Sequence, residues 1–269
     1  MDRVLIEVPS DHPGEQVARL EAVRDAQLRG IQEHRAAASE LRATHAASRR
    51  WWQILKWMQQ RDELRAFLMR APRLDPAFGD QHARWSAGIG GEDRITAALR
   101  ALSDDWQLFR GYKNRRGEID HLLVGPGGVW AIEVKTKSVR VHIDGDAWSF
   151  EKFDKYGNLV DTGVLTDRGG RSWGRQVSDS ARELETFLSS RGQAAKVHTA
   201  VVLVHERGEL GSCANLTIDF FVVGARGLVE MLLRCQAQLE PTARDAVARL
   251  IRRDHEFNAR KRARGRPRG

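Results

Sequence analysis

Hydrophobic positions in the middle of the chain recur in short runs bounded by turn residues, which is a strand pattern. The runs are "WQLFRGY" (106–112), "EIDHLLV" (118–124) and "VWAIEVK" (129–135). The joints "KNRRG" and "GPGG" are short, so these three strands are predicted to form an antiparallel meander. Just upstream, apolar residues at helical spacing predict a helix from about 91 to 103.

Downstream of the meander, further strands and helices follow in mixed order. Two short strands, "VRVHI" and "WSFEKF", flank the turn "DGDA", and a polar loop covers about 154–173. The remaining predicted elements are a helix at 175–190, strands at 197–204 and 216–223, and helices at 226–239 and 241–256. This order predicts an α/β domain in which helices cover a mixed sheet.

The first 80 residues have helical composition instead. Residues 15–47 are rich in Ala, Glu, Arg, Gln and Leu, and a second helix is predicted over 49–70 before the Pro-containing linker "APRLDPAFGD". The stretch "RRWWQILKWMQQ" is compatible with a membrane surface, but a packed amphipathic helix is the favoured interpretation. Packing is likewise favoured over base stacking for Trp51 and Trp52.

Positive charge is concentrated at the end of the chain. The net charge is +8, and residues 258–269 contain six basic residues and no acid, which leaves +2 for the rest. This tail is either a flexible basic arm that contacts phosphates or a disordered solubilising end, with equal weight for each.

Nothing in the sequence predicts export or membrane insertion. No apolar run approaches the roughly 20 residues of a membrane-spanning helix, and the first residues lack a signal-peptide pattern. The two cysteines, Cys213 and Cys235, have no metal-ligand spacing and are predicted to be reduced. A cytoplasmic protein without stable membrane insertion is therefore expected.

Three charges interrupt the otherwise apolar hairpin. Side chains alternate along a strand, so Glu133 and Lys135 point to one face, and Asp120 lies on the neighbouring strand. Neighbouring carboxylates repel unless a cation lies between them, and Mg²⁺ prefers such oxygen ligands. With a lysine beside the metal, the cluster is suited to phosphodiester hydrolysis. A salt-bridged edge hairpin is an equally weighted alternative on these residues alone.

Two flanking residues are candidates for the same site. Glu92 opens the helix before the meander, where an acid is also favoured by the helix dipole. Gln176 opens the helix that follows it. "GRSWG" fits a nucleophile elbow at Ser172, but the preceding residues are polar and turn-rich, so a serine hydrolase is disfavoured. His121 is expected to point to the opposite face from Asp120 and to be structural.

Taken together, "GIGGE", "GEIDHLLVGPGGVWAIEVKTK" and Gln176 resemble the nuclease-related domain, NERD, over roughly residues 84–205. That family belongs to the PD-(D/E)XK nuclease superfamily, which includes restriction enzymes and Holliday-junction resolvases. By this resemblance Asp120, Glu133 and Lys135 match the catalytic core motif. Glu92 matches the helix acid of the family, and Gln176 is similar to the glutamine that follows in related nucleases.

The resemblance implies an α/β fold with a restriction-endonuclease-like core, a mixed sheet flanked by helices, and an all-helical N-terminal extension. The expected divisions are a helical region and linker at 1–80, the nuclease domain at 81–224, C-terminal helices at 225–257 and a basic flexible tail at 258–269. The expected function is metal-dependent cleavage of phosphodiester bonds, with DNA favoured over RNA.

In this interpretation Asp120, Glu133 and Glu92 bind Mg²⁺ or Mn²⁺, while Lys135 assists the attacking water or the developing charge. The alternative is a non-cleaving module on the same fold that binds nucleic acid. A scaffold that self-associates through the N-terminal helices is a third interpretation.

Overall fold

The computed structural model of the chain describes residues 4–8, 11–167, 169–236 and 238–265, with backbone alone for His12 and 262–265. The chain divides into two compact units. One unit is residues 13–86, and the other joins the residues up to His12 to those from Ala87 onward. Within the described ranges, no helix combines the length and apolar character needed to cross a bilayer.

The larger unit is built on two sheets. The strands are β1 (Leu5–Glu7), β2 (Gln107–Lys113), β3 (Glu118–Gly125), β4 (Gly128–Lys135), β5 (Arg140–Asp144), β6 (Ala147–Phe153), β7 (Leu159–Val164), β8 (Val197–Leu203), β9 (Glu209–Ala214) and β10 (Phe220–Val223). The main sheet has the order β1-β2-β3-β4-β8-β10, and the smaller sheet has the order β7-β6-β5-β9.

The described residues also form six helices. They are α1 (His12–Ala47), α2 (Ile54–Met69), α3 (Phe78–Leu99), α4 (Trp173–Ser190), α5 (Ala225–Arg234) and α6 (Pro241–Gly265). Together with the mixed sheets, these helices give the α/β architecture that the order of elements predicts.

The predicted meander is confirmed, because β2, β3 and β4 pair antiparallel in sequence order. The turn between β3 and β4 uses Gly128 at φ +108°, a conformation that other residues adopt at a cost. Beyond the meander β8 pairs parallel to β4, and β10 pairs parallel to β8, so the sheet is mixed. The strand pair β4–β8 leads directly into the parallel pair β5–β9 of the smaller sheet.

Both faces of the main sheet are buried. On one face, α4 and α6 enclose a core that includes Leu122, Val129 and Ala131. On the other face, α3 and α5 enclose a second core that includes Trp130 and Ile132. The alternating residues of β4 thus enter different cores, as strand geometry requires.

The smaller unit contains a helical hairpin. The ring of His34 in α1 stacks on Phe67 in α2 at 4.3 Å between centroids. Near the other end of the hairpin, His45 Nε2 lies 3.1 Å from Glu63 Oε2. Later residues of α1 therefore meet earlier residues of α2, and the two helices are antiparallel.

Several boundaries differ from the predictions. The N-terminal region is not all helical, because β1 adds to the edge of the main sheet, with Leu5 N donating to Trp106 O at 3.1 Å. Three residues are too few to show a period of two. Residues 209–214 and 159–164 form β9 and β7, where no strand was predicted. Both are largely exposed, so neither carries an alternating apolar pattern.

Two helices are longer than predicted. Helix α3 begins at Phe78, so the predicted linker at 71–80 and the "GIGG" stretch are partly or wholly helical. Helix α6 continues to Gly265, so residues 258–265 are helical where a flexible tail was predicted, and residues 266–269 lie outside the described residues. Side chains of α6 pack inward as far as Asn258, which is 3% exposed and bonds to Asp254. Both cysteines are free thiols.

Candidate active site

The candidate site lies where β3 and β4 stop pairing with each other. The last paired residues at this end are His121 and Ile132, and the same register places Asp120 opposite Glu133. Instead of a backbone partner, Val134 N donates to Asp120 Oδ2 at 2.7 Å. The carboxylate of Asp120 is thereby fixed beside β4, on the face that α4 covers.

Lys135 and Glu133 form a close ion pair on this face. Lys135 Nζ donates to Glu133 Oε1 at 2.6 Å. The ammonium also lies 5.5 Å from the ring centroid of Trp173, the first residue of α4. The side chains of Glu133 and Lys135 are 12% and 20% exposed, so solvent reaches both. The backbone of Lys135 is held by β8, because Val204 N donates to Lys135 O at 2.9 Å.

The electrostatics of the cluster favour a positive charge. Burial raises the pKa of Asp120 well above its usual value, and the nearby charge of Glu133 raises it further. Burial alone would lower the pKa of Lys135, but the carboxylates of Glu133 and Asp120 outweigh burial and raise it. Lys135 is therefore the ammonium that partly neutralises the two acids.

Glu92 reaches the site from α3, on the opposite face of the sheet. Its Oε2 accepts from Arg110 Nε at 3.2 Å, and Arg110 Nη1 donates to Asp93 Oδ1 at 2.6 Å. Burial raises the pKa of Glu92 to about 7, although Arg110 opposes the shift. The charge of Glu92 also contributes to the raised pKa of Asp120. Glu92 is thus close enough to act electrostatically on Asp120, but it is bound to a guanidinium.

The close approach of α3 to this end of the sheet depends on Gly91. A Cβ at this position would lie 2.1 Å from Thr136 Cγ2 and 3.2 Å from Val204 Cγ2. Thr136 directly follows Lys135, so only glycine at position 91 lets α3 pack close enough to place Glu92 at this end of the sheet. This packing explains one glycine of the "GIGGE" stretch, whereas Gly88 and Gly90 face open space.

Comparison with known proteins bears on this site. Residues 87–204 match the family model described as nuclease-related domain, NERD. This segment is a nuclease-related domain. The match includes Glu92, Asp120, Glu133, Lys135 and Gln176, and it places the segment in the PD-(D/E)XK-like nuclease family. Neither the curated proteins nor the solved structures provide a match to the chain.

Among the described residues of the nuclease-related domain, no hydrogen bond joins Gln176 to the cluster of Asp120, Glu133 and Lys135. Gln176 lies in the first turn of α4, and its Nε2 donates to Arg171 O, just before the helix, at 3.3 Å. Ser172 is the N-cap of α4, and its side chain accepts from Arg175 N. Ser172 is 3% exposed and follows a turn rather than a buried strand, so it has the role of a helix cap and not of a nucleophile.

The three acids predicted to bind metal in the nuclease-related domain fall into two groups in this structure. Among the described residues, no set of three or more His, Cys, Asp or Glu side chains has metal-binding geometry. Asp120 and Glu133 lie opposite each other, while Glu92 pairs with Arg110. The two strand carboxylates suit a hard divalent cation that keeps water ligands. The Oε2 atom of Glu92 is instead bound by Arg110 Nε.

Sequence reasoning missed several residues around the cluster. Arg110 lies in the middle of an apolar strand, and its pairing with Glu92 has no signal in local sequence. Trp173 and Lys137 meet across the site, with Lys137 Nζ 5.9 Å from the Trp173 ring and 5.3 Å from the Phe150 ring. The alternation rule applied beyond β4 puts Lys137 in phase with Lys135, which is the one available signal for it.

His121 lies on the other face, as its position next to Asp120 predicts. Its Nε2 is 2.8 Å from Thr96 Oγ1 in α3, and the residue is fully buried. Burial lowers the pKa of His121 to about 3, so the ring is neutral. His121 therefore links β3 to α3, directly behind the charged cluster.

Proposed function

We propose that this protein is a metal-dependent nuclease that hydrolyses phosphodiester bonds, with DNA favoured over RNA. The observation that carries the proposal is the convergence of Asp120, Glu133 and Lys135 at one end of the nuclease-related domain. Two acids beside one lysine, within reach of solvent, provide the groups that phosphodiester hydrolysis with a divalent cation requires.

The residues present fit Mg²⁺ or Mn²⁺ as the cation. Asp120 accepts a hydrogen bond from Val134 N, and its pKa is raised by burial first and by the nearby charge of Glu133 second. A cation bound between the two carboxylates would relieve that repulsion. Asp120 and Glu133 would hold the metal, and Glu92 would serve as an outer or second-metal ligand. When bound, the metal supplies a polarised water and neutralises charge on the phosphate.

The other residues of the site would orient the Asp120 carboxylate and neutralise the negative charge of the phosphate. Val134 N fixes one oxygen of Asp120, which leaves the second oxygen free to turn toward a ligand. The Lys135 ammonium is placed to stabilise negative charge that develops on the phosphate, or to position the attacking water. Lys137 is exposed on the same side and supplies a further cation for the nucleic-acid backbone.

A second candidate function is a nucleic-acid-binding module that does not cleave. Two contacts favour it: Lys135 already neutralises Glu133, and Arg110 already neutralises Glu92. In that case the acids would be structural, and the lysines would only contact phosphates.

Cleavage assays separate the two functions. The purified chain would be incubated with single-stranded, duplex and branched DNA and with RNA, in Mg²⁺, in Mn²⁺ or in chelator. The nuclease proposal expects products that require the metal and are faster on a DNA substrate. Binding without cleavage in every metal would instead establish the binding module, and faster cleavage of RNA would correct the choice of substrate.

A further inference from the structure

The tip of the helical hairpin is the part of the chain whose exposed surface is hardest to reconcile with a free protein. The tip is defined here as residues 48–58, which connect α1 to α2 and include the first turn of α2. It is held in place by Gln60, which is 7% exposed and whose Nε2 donates to Ser48 Oγ at 2.9 Å. The tip is therefore a fixed feature of the hairpin.

Six large apolar side chains of the tip are exposed to solvent. They are Trp51 at 81%, Leu55 at 78%, Ile54 at 66%, Trp52 at 57%, Met58 at 49% and Trp57 at 39%. The packed amphipathic helix favoured for this stretch from sequence is thus wrong for Trp51 and Trp52. Such a cluster exceeds the scattered single apolar residues of an ordinary surface, and marks an interaction site.

Basic residues accompany these apolar side chains. The tip contains three basic residues, Arg49, Arg50 and Lys56, and no acid. Arg50 lies 5.6 Å from the centroid of the Trp52 ring, and Arg49 lies 5.8 Å from that of Trp57. Tryptophan rings and long basic side chains combine at the boundary between lipid headgroups and acyl chains, where the rings are partly buried and the cations contact anionic lipid.

Two other occupants fit the tip less well. A nucleic acid would use the Trp rings and the cations, but it offers no apolar environment for Leu55, Ile54 and Met58. A second copy paired symmetrically through the tip would bring two sets of basic residues together without an acid between them. A lipid surface accommodates both the aliphatic side chains and the cations.

We propose that the tip docks on an anionic membrane surface. Trp51 and Leu55, the two most exposed side chains, enter the headgroup region, and Arg50 and Lys56 contact lipid phosphates. The docking is peripheral, because the apolar residues are confined to one turn and one helix end. It is independent of the proposed nuclease activity.

The test is co-sedimentation of the full-length protein with vesicles. Vesicles of equal parts phosphatidylcholine and phosphatidylglycerol are compared with phosphatidylcholine alone. The wild type is expected to bind the anionic vesicles and to be released by high salt. Arg50→Gln with Lys56→Gln should weaken binding by roughly 25-fold, because each basic residue near an anionic surface contributes about fivefold. Trp51→Ser with Leu55→Ser should weaken it at least as much.

Matched controls keep the result specific to the tip. Tyr156→Ser with Leu159→Ser removes an exposed aromatic and an exposed leucine elsewhere, and Arg182→Gln with Arg226→Gln removes two exposed cations. Both controls should bind vesicles like the wild type. Far-UV circular dichroism checks that the tip variants keep their helices.

Three results would overturn the proposal. The first is a wild type that does not bind anionic vesicles, or tip variants that bind them as well as the controls do. The second is a tip variant that changes the molar mass in light scattering while vesicle binding is absent, which would assign the tip to a second copy. The third is a loss of single-stranded DNA binding on tip substitution without vesicle binding.

Discussion

Individual residues of the candidate site carry acidic groups in surroundings that disfavour their ionised forms. Asp120 has a raised pKa because burial and Glu133 disfavour its ionised form. An acid whose pKa is higher in the folded than in the unfolded state stabilises the fold at low pH, and that stability is lost as the pH rises through the folded value. Above the unfolded-state pKa of an aspartate, the raised pKa of Asp120 therefore opposes folding.

Asp120→Asn should abolish cleavage and leave the melting temperature in chelator equal or higher. The asparagine oxygen can still accept the hydrogen bond from Val134 N, while the repulsion with Glu133 disappears. Thermal unfolding at pH 7.5 and a cleavage assay measure the two effects. Asp104→Asn, at an exposed acid outside the site, is the matched control and should change neither. A marked drop in melting temperature would support a structural ion-pair cluster instead.

Lys135→Ala should slow cleavage by something on the order of 10²–10⁴ if the ammonium assists the water or the developing charge. Lys135→Arg should restore only part of the rate, because a guanidinium is planar, bulkier and practically never deprotonated. Nucleic-acid affinity should stay close to that of the wild type in both variants. If cleavage rates were equal in all three proteins, the proposed role of Lys135 would be wrong.

At the scale of elements, the predictable parts are those whose apolar pattern is local. The strands β2, β3 and β4 were predicted to within about a residue, because each is an apolar run between turn residues. The strand β7, "LVDTGV", has five exposed residues of six and is paired through its backbone with β6. Its existence depends on that pairing, so no pattern in its own sequence signals it.

The candidate site likewise combines contacts that the local sequence predicts with contacts that depend on tertiary packing. Asp120, Glu133 and Lys135 meet because one hairpin contains all three, and strand alternation is enough to predict it. The contact of Glu92 with Arg110 and the position of Trp173 against Lys135 depend on how α3 and α4 pack on the sheet. Those contacts join distant parts of the sequence, and single-sequence reasoning has no means to place them.

Helix α3 supplies a direct test of its own packing. Gly91→Ala should lower the melting temperature and the cleavage rate, because its Cβ would clash with Thr136 and push Glu92 away from the sheet. Gly90→Ala should instead raise stability by up to about 1 kcal/mol, since alanine is the better helix former and nothing lies within 4 Å. Thermal unfolding of the Gly91→Ala and Gly90→Ala variants beside the wild type measures both effects on stability. Equal melting temperatures would show that α3 does not pack closely at Gly91.

His121, between β3 and α3, should make the fold sensitive to acid. Its pKa is lowered from 6.5 to about 3 by burial, so the stability it contributes is complete above pH 6.5 and is lost as the pH falls toward 3. Between pH 6.5 and 5 the loss is about 2 kcal/mol. His121→Gln should remove this pH dependence of the unfolding free energy while keeping a partner for Thr96. The control variant His142→Gln, at a more exposed histidine, should keep the pH dependence of the wild type. Denaturant unfolding at both pH values, in chelator, measures it.

At the scale of the whole molecule, charge is distributed unevenly between the body of the chain and its C-terminal end. Helix α6 is anchored through Arg252, which pairs with Glu7 of β1, and through Tyr112, which donates to Asp254. Helix α6 is therefore firmly packed against the main sheet, and the sequence from residue 262 onward adds four arginines. A positively charged end on a fixed helix is suited to contact phosphates beside the domain.

Removal of residues 262–269 should weaken nucleic-acid binding without regard to sequence. This truncation takes away four arginines and spares the buried Asn258. The slope of log affinity against log salt should fall by up to about four units. Binding titrations at several salt concentrations give the slope, with the melting temperature as a check on folding. If the slope stays the same, the end of the chain is a solubilising segment.

The order of strands in the main sheet limits how the molecule can be shortened. A fragment of residues 87–204 would contain the whole family match yet lose β1 from one edge and β10 from the other. It would also expose β8, all seven residues of which are buried in the intact protein. Open strand edges with apolar faces pair with other chains, so this fragment should aggregate on expression. The edge strands Leu5–Glu7 and Phe220–Val223 thus complete the main sheet from outside the segment by which the family is recognised.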